Sequence, residues 1–187
     1  GGKTLSSLRF ALSHARRWGL ERIIYVSPYT SIIDQNADVV RNILEWCDDP
    51  FGSIVLEHHG SLDPAVQTTR SKLLSENWDA PIVFTTSVQF LEALFGGGTR
   101  AVRRMHQLAN SVLVFDEAQT LPVRCVHLFN NALNFLVAHC GVSAVLCTAT
   151  QPLLHRVDPR KGSLRLGSDA EIVPDVAELF RSLRRTE

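Results

Sequence analysis

The sequence predicts an α/β domain in which a mainly parallel sheet is covered by helices. Segments typical of strands alternate with segments of helical periodicity along the chain. The strand segments are hydrophobic without interruption, which is typical of strands buried on both faces of a parallel sheet. Hydrophobic residues make up 45% of the 187 residues and charged residues 20%, a composition that excludes an intrinsically disordered, collagen-like or histone-like chain.

The first part of the chain is predicted to form a helix, a strand and a second helix. Apolar residues at helical spacing over 5–15 predict the first helix. The β-branched run 23–26 predicts a buried strand. The capping-box spacing of Ser31 and Asp34 predicts that the second helix begins there, and its apolar positions continue to Trp46.

The middle of the chain repeats this alternation. A short apolar run at 54–56 predicts the second strand, and a helix is expected over about 64–74. The third strand is predicted at 82–85, directly after a proline. Helical spacing over 88–95 follows, and the three glycines at 96–98 end that helix.

The last part contains the most apolar strand. A basic helix is predicted over 100–108, followed by the strand 112–115. Helical spacing returns over 128–138, and the apolar run 145–147 predicts a fifth strand. A final helix is expected over 175–183.

A phosphate-binding motif is indicated where the first helix begins. Gly1, Gly2, Lys3 and Thr4 match the second half of the P-loop pattern. Glycine lets backbone N–H groups close around phosphate oxygens, while the lysine reaches the β and γ phosphates and the threonine hydroxyl binds Mg²⁺. The alternative is a chance Gly-Lys-Thr at a flexible terminus. The motif predicts ATP and Mg²⁺ as cofactors.

A pair of acids follows the fourth predicted strand. Asp116 and Glu117 come directly after four apolar residues, which is the Walker B arrangement. A buried strand delivers such acids to the carboxyl edge of the sheet, where ligands bind in open α/β folds. Asp116 is expected to hold Mg²⁺ and Glu117 to polarise the attacking water as general base. A pair of exposed acids that cap the next helix is the alternative.

The order of these motifs resembles superfamily 2 helicases. Gly-Lys-Thr, then Asp-Glu-Ala-Gln at 116–119, then Thr-Ala-Thr at 148–150 resembles motifs I, II and III of that superfamily. The run Tyr-Val-Ser-Pro-Tyr-Thr-Ser-Ile-Ile-Asp-Gln-Asn at 25–36 is similar to motif Ia of the CRISPR-associated helicase-nucleases of type I systems. Segments 57–61 and 84–90 also look like that family, so the resemblance covers nearly the whole chain.

The resemblance implies that residues 1–187 are the first RecA-like domain of such a helicase. The implied fold is a three-layer P-loop NTPase sandwich that begins within the P-loop and lacks the strand before it. Residues 155–187 are expected to lead towards a second RecA-like domain, which supplies an arginine finger. Without those parts, the piece by itself is expected not to hydrolyse ATP.

The resemblance also implies the activity and partners of the whole protein. Such helicases use ATP to move 3′ to 5′ along single-stranded DNA during antiviral interference. They are recruited by an RNA-guided surveillance complex, and a His-Asp nuclease domain cuts the strand. The sparse cysteines predict a reducing cytoplasm, and no apolar run approaches the roughly 18 residues that cross a membrane.

Hydroxyl residues at two strand-to-helix junctions are the predicted DNA contacts. The chain has 19 basic and 19 acidic residues, so binding would use helix N-termini and hydroxyls instead of a broad basic face. Ordinary N-capping is the alternative role and is compatible with DNA contact. The predicted contacts are Pro28, Thr30, Ser31, Thr85, Thr86 and Ser87.

Three further residues are predicted to relay the state of the nucleotide. Gln119 would face the γ-phosphate together with Lys3, and Thr148 and Thr150 would couple phosphate release to the grip on DNA. An exposed turn glutamine and a plain strand-end turn are the respective alternatives.

Other clusters are less informative. His58 and His59 point in different directions and have no third ligand spaced nearby, so no metal site is predicted there. Arg100, Arg103 and Arg104 form either a solvated face or a DNA or partner contact. For the protein as a whole, the alternatives are an RNA or general DNA helicase domain of superfamily 2, or a non-catalytic nucleotide-binding remnant.

Overall fold

A five-stranded parallel sheet organises the protein. The computed structural model describes residues 3–45, 54–60, 77–148, 153–167, 170–172, 175, 178 and 181–182. The strands follow one another in the spatial order β2-β3-β1-β4-β5, and every neighbouring pair is parallel. They are β1 Arg22–Ser27, β2 Val55–His58, β3 Ile82–Thr86, β4 Ser111–Phe115 and β5 Ser143–Leu146. The predicted α/β class is confirmed, and each predicted strand is present within two residues.

Helices connect the strands and cover the sheet. They are α1 Lys3–Trp18, α2 Thr30–Leu44, α3 Ser87–Phe95, α4 Thr99–Leu108 and α5 Val126–His139. The helix predicted over 64–74 lies outside the described residues, and of the one predicted over 175–183 only 178, 181 and 182 are described as helical. Within the described part of the chain, none of the helices is long and apolar enough to cross a membrane.

The start of α2 differs from the prediction. The helix begins at Thr30, with Tyr29 at the N-cap, and no described side chain caps it. The predicted capping box is therefore wrong, because Ser31 already lies inside the helix. The carboxylate of Asp34 instead accepts a hydrogen bond from His59 Nε2 at 2.8 Å if that nitrogen carries the proton.

Two apolar layers hold the sheet between the helices. Along β1, Ile23 and Tyr25 face the core under α1 and α2, while Ile24 and Val26 face the core under α3, α4 and α5. This alternation is the period of a strand, and burial on both sides explains the uninterrupted hydrophobic runs. The result is the expected three-layer sandwich.

The outer side of β5 is where the described sheet ends. β5 pairs with β4 on one side, and none of the described strands pairs with its other side. All four of its residues are only half-buried, in contrast to the fully buried residues of β4. β5 is thus an edge strand of the described sheet, and the residues after it lead into the candidate site.

Candidate functional site

The site lies where α1 begins, beside the carboxyl end of β4. The Lys3 ammonium donates a hydrogen bond to Oε1 of Glu117 at 2.7 Å and lies 3.8 Å from Oδ1 of Asp116. Helix α1 packs against β4 and β1, which carries its first residue to this edge of the sheet. The structure therefore brings together the three residues that the two sequence motifs predicted. Gly1 and Gly2 lie outside the described residues.

The chain turns sharply after β4 to present Glu117. Glu117 has a φ of 52°, in the left-handed region that non-glycine residues rarely adopt. Its N–H donates to Oδ1 of Asp116 at 3.1 Å, and its carbonyl accepts from the hydroxyl of Thr120 at 2.8 Å. A left-handed residue costs on the order of 1 kcal/mol, so these bonds hold a turn that the sequence by itself disfavours.

The charges of Lys3 and Glu117 stabilise each other. The hydrogen bond to Glu117 raises the pKa of Lys3 above its ordinary value. The same bond from Lys3, followed by one from Gln119, lowers the pKa of Glu117. Glu117 is therefore ionised at neutral pH, which is the form that a general base requires.

A hydrogen-bond chain extends the site to the end of β5. Gln119 donates from Nε2 to Oε2 of Glu117 at 2.5 Å, and the Thr148 hydroxyl donates to Oε1 of Gln119 at 2.6 Å. The amide of Gln119 thus joins the acid after β4 to the segment after β5. Thr150 lies outside the described residues.

Thr4 contacts a residue to which the sequence analysis assigned no role. Its hydroxyl donates to Oδ1 of Asn36, in the second turn of α2, at 3.0 Å. The two side chains line a small cavity of about 40 Å³ together with Lys3, Ser7, Tyr25, Val114, Asp116 and Cys147. Mg²⁺ prefers oxygen ligands such as hydroxyls and carboxylates, so the side chains of Thr4 and Asp116 fit that ion chemically. Asn36 belongs to the run at 25–36, but its contact with Thr4 depends on the fold.

The two predicted DNA-contact junctions lie side by side. Ser27 at the end of β1 is the register partner of Thr86 at the end of β3, so α2 and α3 start at the same edge of the sheet. Ser31 is exposed, and Pro28, Thr30 and Ser87 are half-buried.

Thr86 and Thr85 have different roles at this edge. The Thr86 hydroxyl caps α3 by accepting from the N–H of Gln89 at 3.2 Å. That bond uses an oxygen lone pair and leaves the hydroxyl proton for another acceptor. Thr85 is fully buried, and its hydroxyl donates to the carbonyl of His58 at 2.9 Å. The period of β3 thus turns the Thr85 side chain into the protein, away from the surface where the predicted DNA contact would lie.

One of the two adjacent histidines, His59, lies beside two carboxylates. One ligand atom each from Asp34, Glu57 and His59 lies within 4.8 Å of the others. The fold thus brings Asp34 of α2 to His59, a neighbour that the spacing of residues in the sequence does not indicate. Arg41 forms an ion pair with Glu57 and supplies positive charge to this group. Burial lowers the pKa of His58 to about 4, so that ring is neutral.

The three arginines of α4 do not form one surface. Arg104 is half-buried, donates to Oε1 of Gln89 at 3.0 Å and lies 5.9 Å from the centre of the Trp78 ring. Arg100 and Arg103 are exposed. The solvated-face interpretation thus fails for Arg104, which packs next to the start of α3.

Comparison with known proteins identifies the family. The model of the DEAD/DEAH box helicase family matches residues 1–157. The chain belongs to the DEAD/DEAH box helicase family. This helicase chain is also similar to the CRISPR-associated nuclease/helicase Cas3 of Haloferax volcanii, with 29% identity over 148 residues that cover 72% of this chain and 16% of that relative. The resemblance to CRISPR-associated helicases is confirmed.

Solved structures share the fold of this DEAD/DEAH box helicase chain. The crystal structure of T. fusca Cas3 superposes with a TM-score of 0.66 and 20% identity, covering 81% of this chain and 19% of that one. The crystal structure of T. fusca Cas3-ATP gives a TM-score of 0.60 and 20% identity, covering 79% and 17%. The helicase chain therefore spans less than a fifth of the length of these relatives.

Proposed function

We propose that this helicase chain binds ATP with Mg²⁺ and hydrolyses it. The observation that carries the proposal is the Lys3 ammonium at the start of α1, in contact with Glu117 and near Asp116. A lysine at a helix N-terminus beside two carboxylates joins the phosphate-binding and metal-binding halves of a nucleotide site. The likeness in fold to T. fusca Cas3-ATP supports ATP as the nucleotide.

Each side chain of the site has a role in this mechanism. Lys3 exchanges its bond to Glu117 for the β and γ phosphates, which leaves the carboxylate of Glu117 to take a proton from the attacking water. Thr4 and Asp116 hold Mg²⁺, which supplies positive charge to the phosphates. Gln119, bonded to Glu117 and Thr148, passes the change at the phosphates to the segment after β5.

The second ligand is single-stranded DNA at the starts of α2 and α3. Helix N-termini attract phosphates through free N–H groups and the helix dipole, and Thr30, Ser31, Thr86 and Ser87 add hydroxyls. Pro28 sets the entry into α2. Thr85 takes no part through its side chain, because that side chain is buried.

In the whole protein, this chain acts as the first of two RecA-like domains of a CRISPR-associated DNA helicase. Its translocation runs 3′ to 5′ on single-stranded DNA during type I antiviral interference. The partners are an RNA-guided surveillance complex and a His-Asp nuclease domain, in the cytoplasm. The support is the resemblance of the run at 25–36 and the similarity to Haloferax volcanii Cas3.

An ATPase assay on the protein that contains this domain tests the proposal. Turnover is expected to rise with single-stranded DNA and to rise less with RNA of the same sequence. Equal stimulation by both would favour the RNA or general DNA helicase. Absence of turnover with retained ATP binding would favour the non-catalytic module. Lys3→Ala is the control, since it removes the phosphate contact and leaves the acids in place.

A further inference from the structure

The hydrogen bond between Thr4 and Asn36 fixes the orientation of one hydroxyl. Thr4 Oγ1 is the donor and Asn36 Oδ1 the acceptor, at 3.0 Å. A threonine hydroxyl has one proton and two lone pairs, and its proton rotates to the best acceptor. Because the Thr4 hydroxyl proton points at Asn36, the lone pairs of the Thr4 oxygen remain available to a ligand.

The surroundings of Thr4 contain competing acceptors. The cavity that it lines also contains the carboxylate of Asp116 and the hydroxyls of Ser7 and Tyr25. The Ser7 and Tyr25 oxygens lie 3.3 Å apart and bond to each other. Without Asn36, the Thr4 proton would turn towards other acceptors in the cavity, and one of them is the acid expected to hold the metal.

Asn36 also connects the nucleotide side of the site to the DNA side. It lies in the second turn of α2, a helix of 15 residues whose first two positions are Thr30 and Ser31. A helix is a rigid element, so a displacement at Asn36 would also move the start of α2. The Thr4–Asn36 bond is therefore a direct polar contact between the first turn of α1 and this helix.

We propose that Asn36 is a positioning residue for the metal-nucleotide site. It accepts a hydrogen bond from the Thr4 hydroxyl so that the hydroxyl oxygen directs a lone pair towards Mg²⁺, and it ties α2 to the presence of the metal-bound nucleotide. This inference rests on the proposed binding of ATP and Mg²⁺. Groups that orient a metal ligand from behind are typically worth about 10- to 100-fold in metal affinity.

The test is the gain in ATP affinity caused by Mg²⁺. Each variant is titrated with a fluorescent ATP analogue, once in Mg²⁺ and once in EDTA. The dissociation constant in EDTA divided by that in Mg²⁺ gives the gain, and this ratio is compared between variants. Asn36→Ala is expected to lower this ratio about 10-fold or more, with the affinity in EDTA unchanged. Asn36→Asp should retain the ratio, because its carboxylate still accepts the hydrogen bond from the Thr4 hydroxyl. The matched control is Asn42→Ala, an exposed asparagine in the same helix.

The outcomes separate this inference from the proposed function. A wild-type protein that does not bind the analogue would overturn the nucleotide site itself. Wild-type binding with a Mg²⁺ gain that Asn36→Ala keeps would overturn only the role of Asn36. If Asn36→Ala is unstable by thermal melting, Asn36→Leu, which keeps the volume and lacks the acceptor, replaces it in the same titration. The affinity for single-stranded DNA is measured with and without ATP and Mg²⁺, and an unchanged ATP effect in Asn36→Ala would overturn the tie to α2.

Discussion

Lys3 and Glu117 are 114 positions apart in the sequence, yet their side chains are joined by a 2.7 Å hydrogen bond. This bond joins the first residue of α1 to the turn that follows β4. Each charge shifts the pKa of the other in the direction that keeps both ionised. The bond also occupies the lysine, so phosphate binding and the release of Glu117 are expected to be one event.

The first prediction concerns the pKa of Glu117. Its lowered pKa means that the folded protein favours the carboxylate, so this contribution to stability is present above the ordinary value of 4.5 and is lost as the pH falls through the folded pKa. Lys3→Ala removes the largest cause and should raise the pKa of Glu117. Gln119→Ala removes the second cause and should raise it less. NMR titration of the Glu117 side-chain carboxyl measures both, and an unchanged pKa in Lys3→Ala would contradict the ion pair.

The raised pKa of Lys3 predicts a loss of stability at the alkaline end of the pH range. The contribution of its ammonium is present below the ordinary value of 10.5 and is lost as the pH rises through the folded pKa. Between pH 4.5 and 10.5, the contribution of the Lys3–Glu117 pair to the free energy of unfolding should therefore not change with pH. Urea unfolding at several pH values, compared between the wild type and Lys3→Ala, isolates the effect of the pair.

The second prediction concerns catalysis by Glu117. Glu117→Gln keeps the shape of the side chain and removes its basicity. ATP binding is expected to change little, while hydrolysis should fall by about 10² to 10⁴-fold. Single-turnover hydrolysis at saturating ATP makes the measurement. Wild-type turnover in this variant would remove Glu117 from the mechanism, and Glu117→Asp reports how strictly the position of the carboxylate matters.

The sequence predicted the parts of the structure that depend on local pattern. The strand runs and the carboxyl-edge position of Asp116 follow from uninterrupted apolar segments that end in polar residues. The partner of Thr4 could not be found in this way. Asn36 reaches Thr4 only because α1 and α2 pack on the same face of the sheet, and no periodicity records that distance.

The sequence also could not predict which of the two threonine side chains at the end of β3 is buried. Thr85 and Thr86 are both threonines at a predicted strand-to-helix junction, and the pattern gave them the same role. The extended conformation of β3 sends neighbouring side chains to opposite sides. One of them therefore meets the carbonyl of His58 and the other caps α3.

The third prediction separates capping from DNA contact at Thr86. Thr86→Asp keeps an oxygen for the N–H of Gln89, so the free energy of unfolding should stay within about 0.5 kcal/mol of the wild type. The carboxylate has no proton to donate and repels a phosphate, so single-stranded DNA should bind more weakly than in the wild type. Thr86→Ala should lose both the helix cap and the DNA contact, and the loss of the cap should lower the free energy of unfolding by about 1 kcal/mol. Filter binding and urea unfolding give the two readouts. Full DNA affinity in Thr86→Asp would mean that Thr86 only caps the helix.

The last prediction uses Thr85 as the counterpart. Its buried hydroxyl donates to the carbonyl of His58, which lies at the end of the neighbouring strand. Thr85→Val keeps the shape and leaves that carbonyl without its donor, so unfolding should become easier by about 1 to 3 kcal/mol. Thr85→Ser keeps the hydroxyl and should lose less stability than Thr85→Val does. Because the side chain does not reach the surface, the affinity of the folded Thr85→Val protein for single-stranded DNA should equal that of the wild type. Weaker DNA binding by Thr85→Val at a temperature where urea unfolding shows it fully folded would return Thr85 to the DNA-contact set.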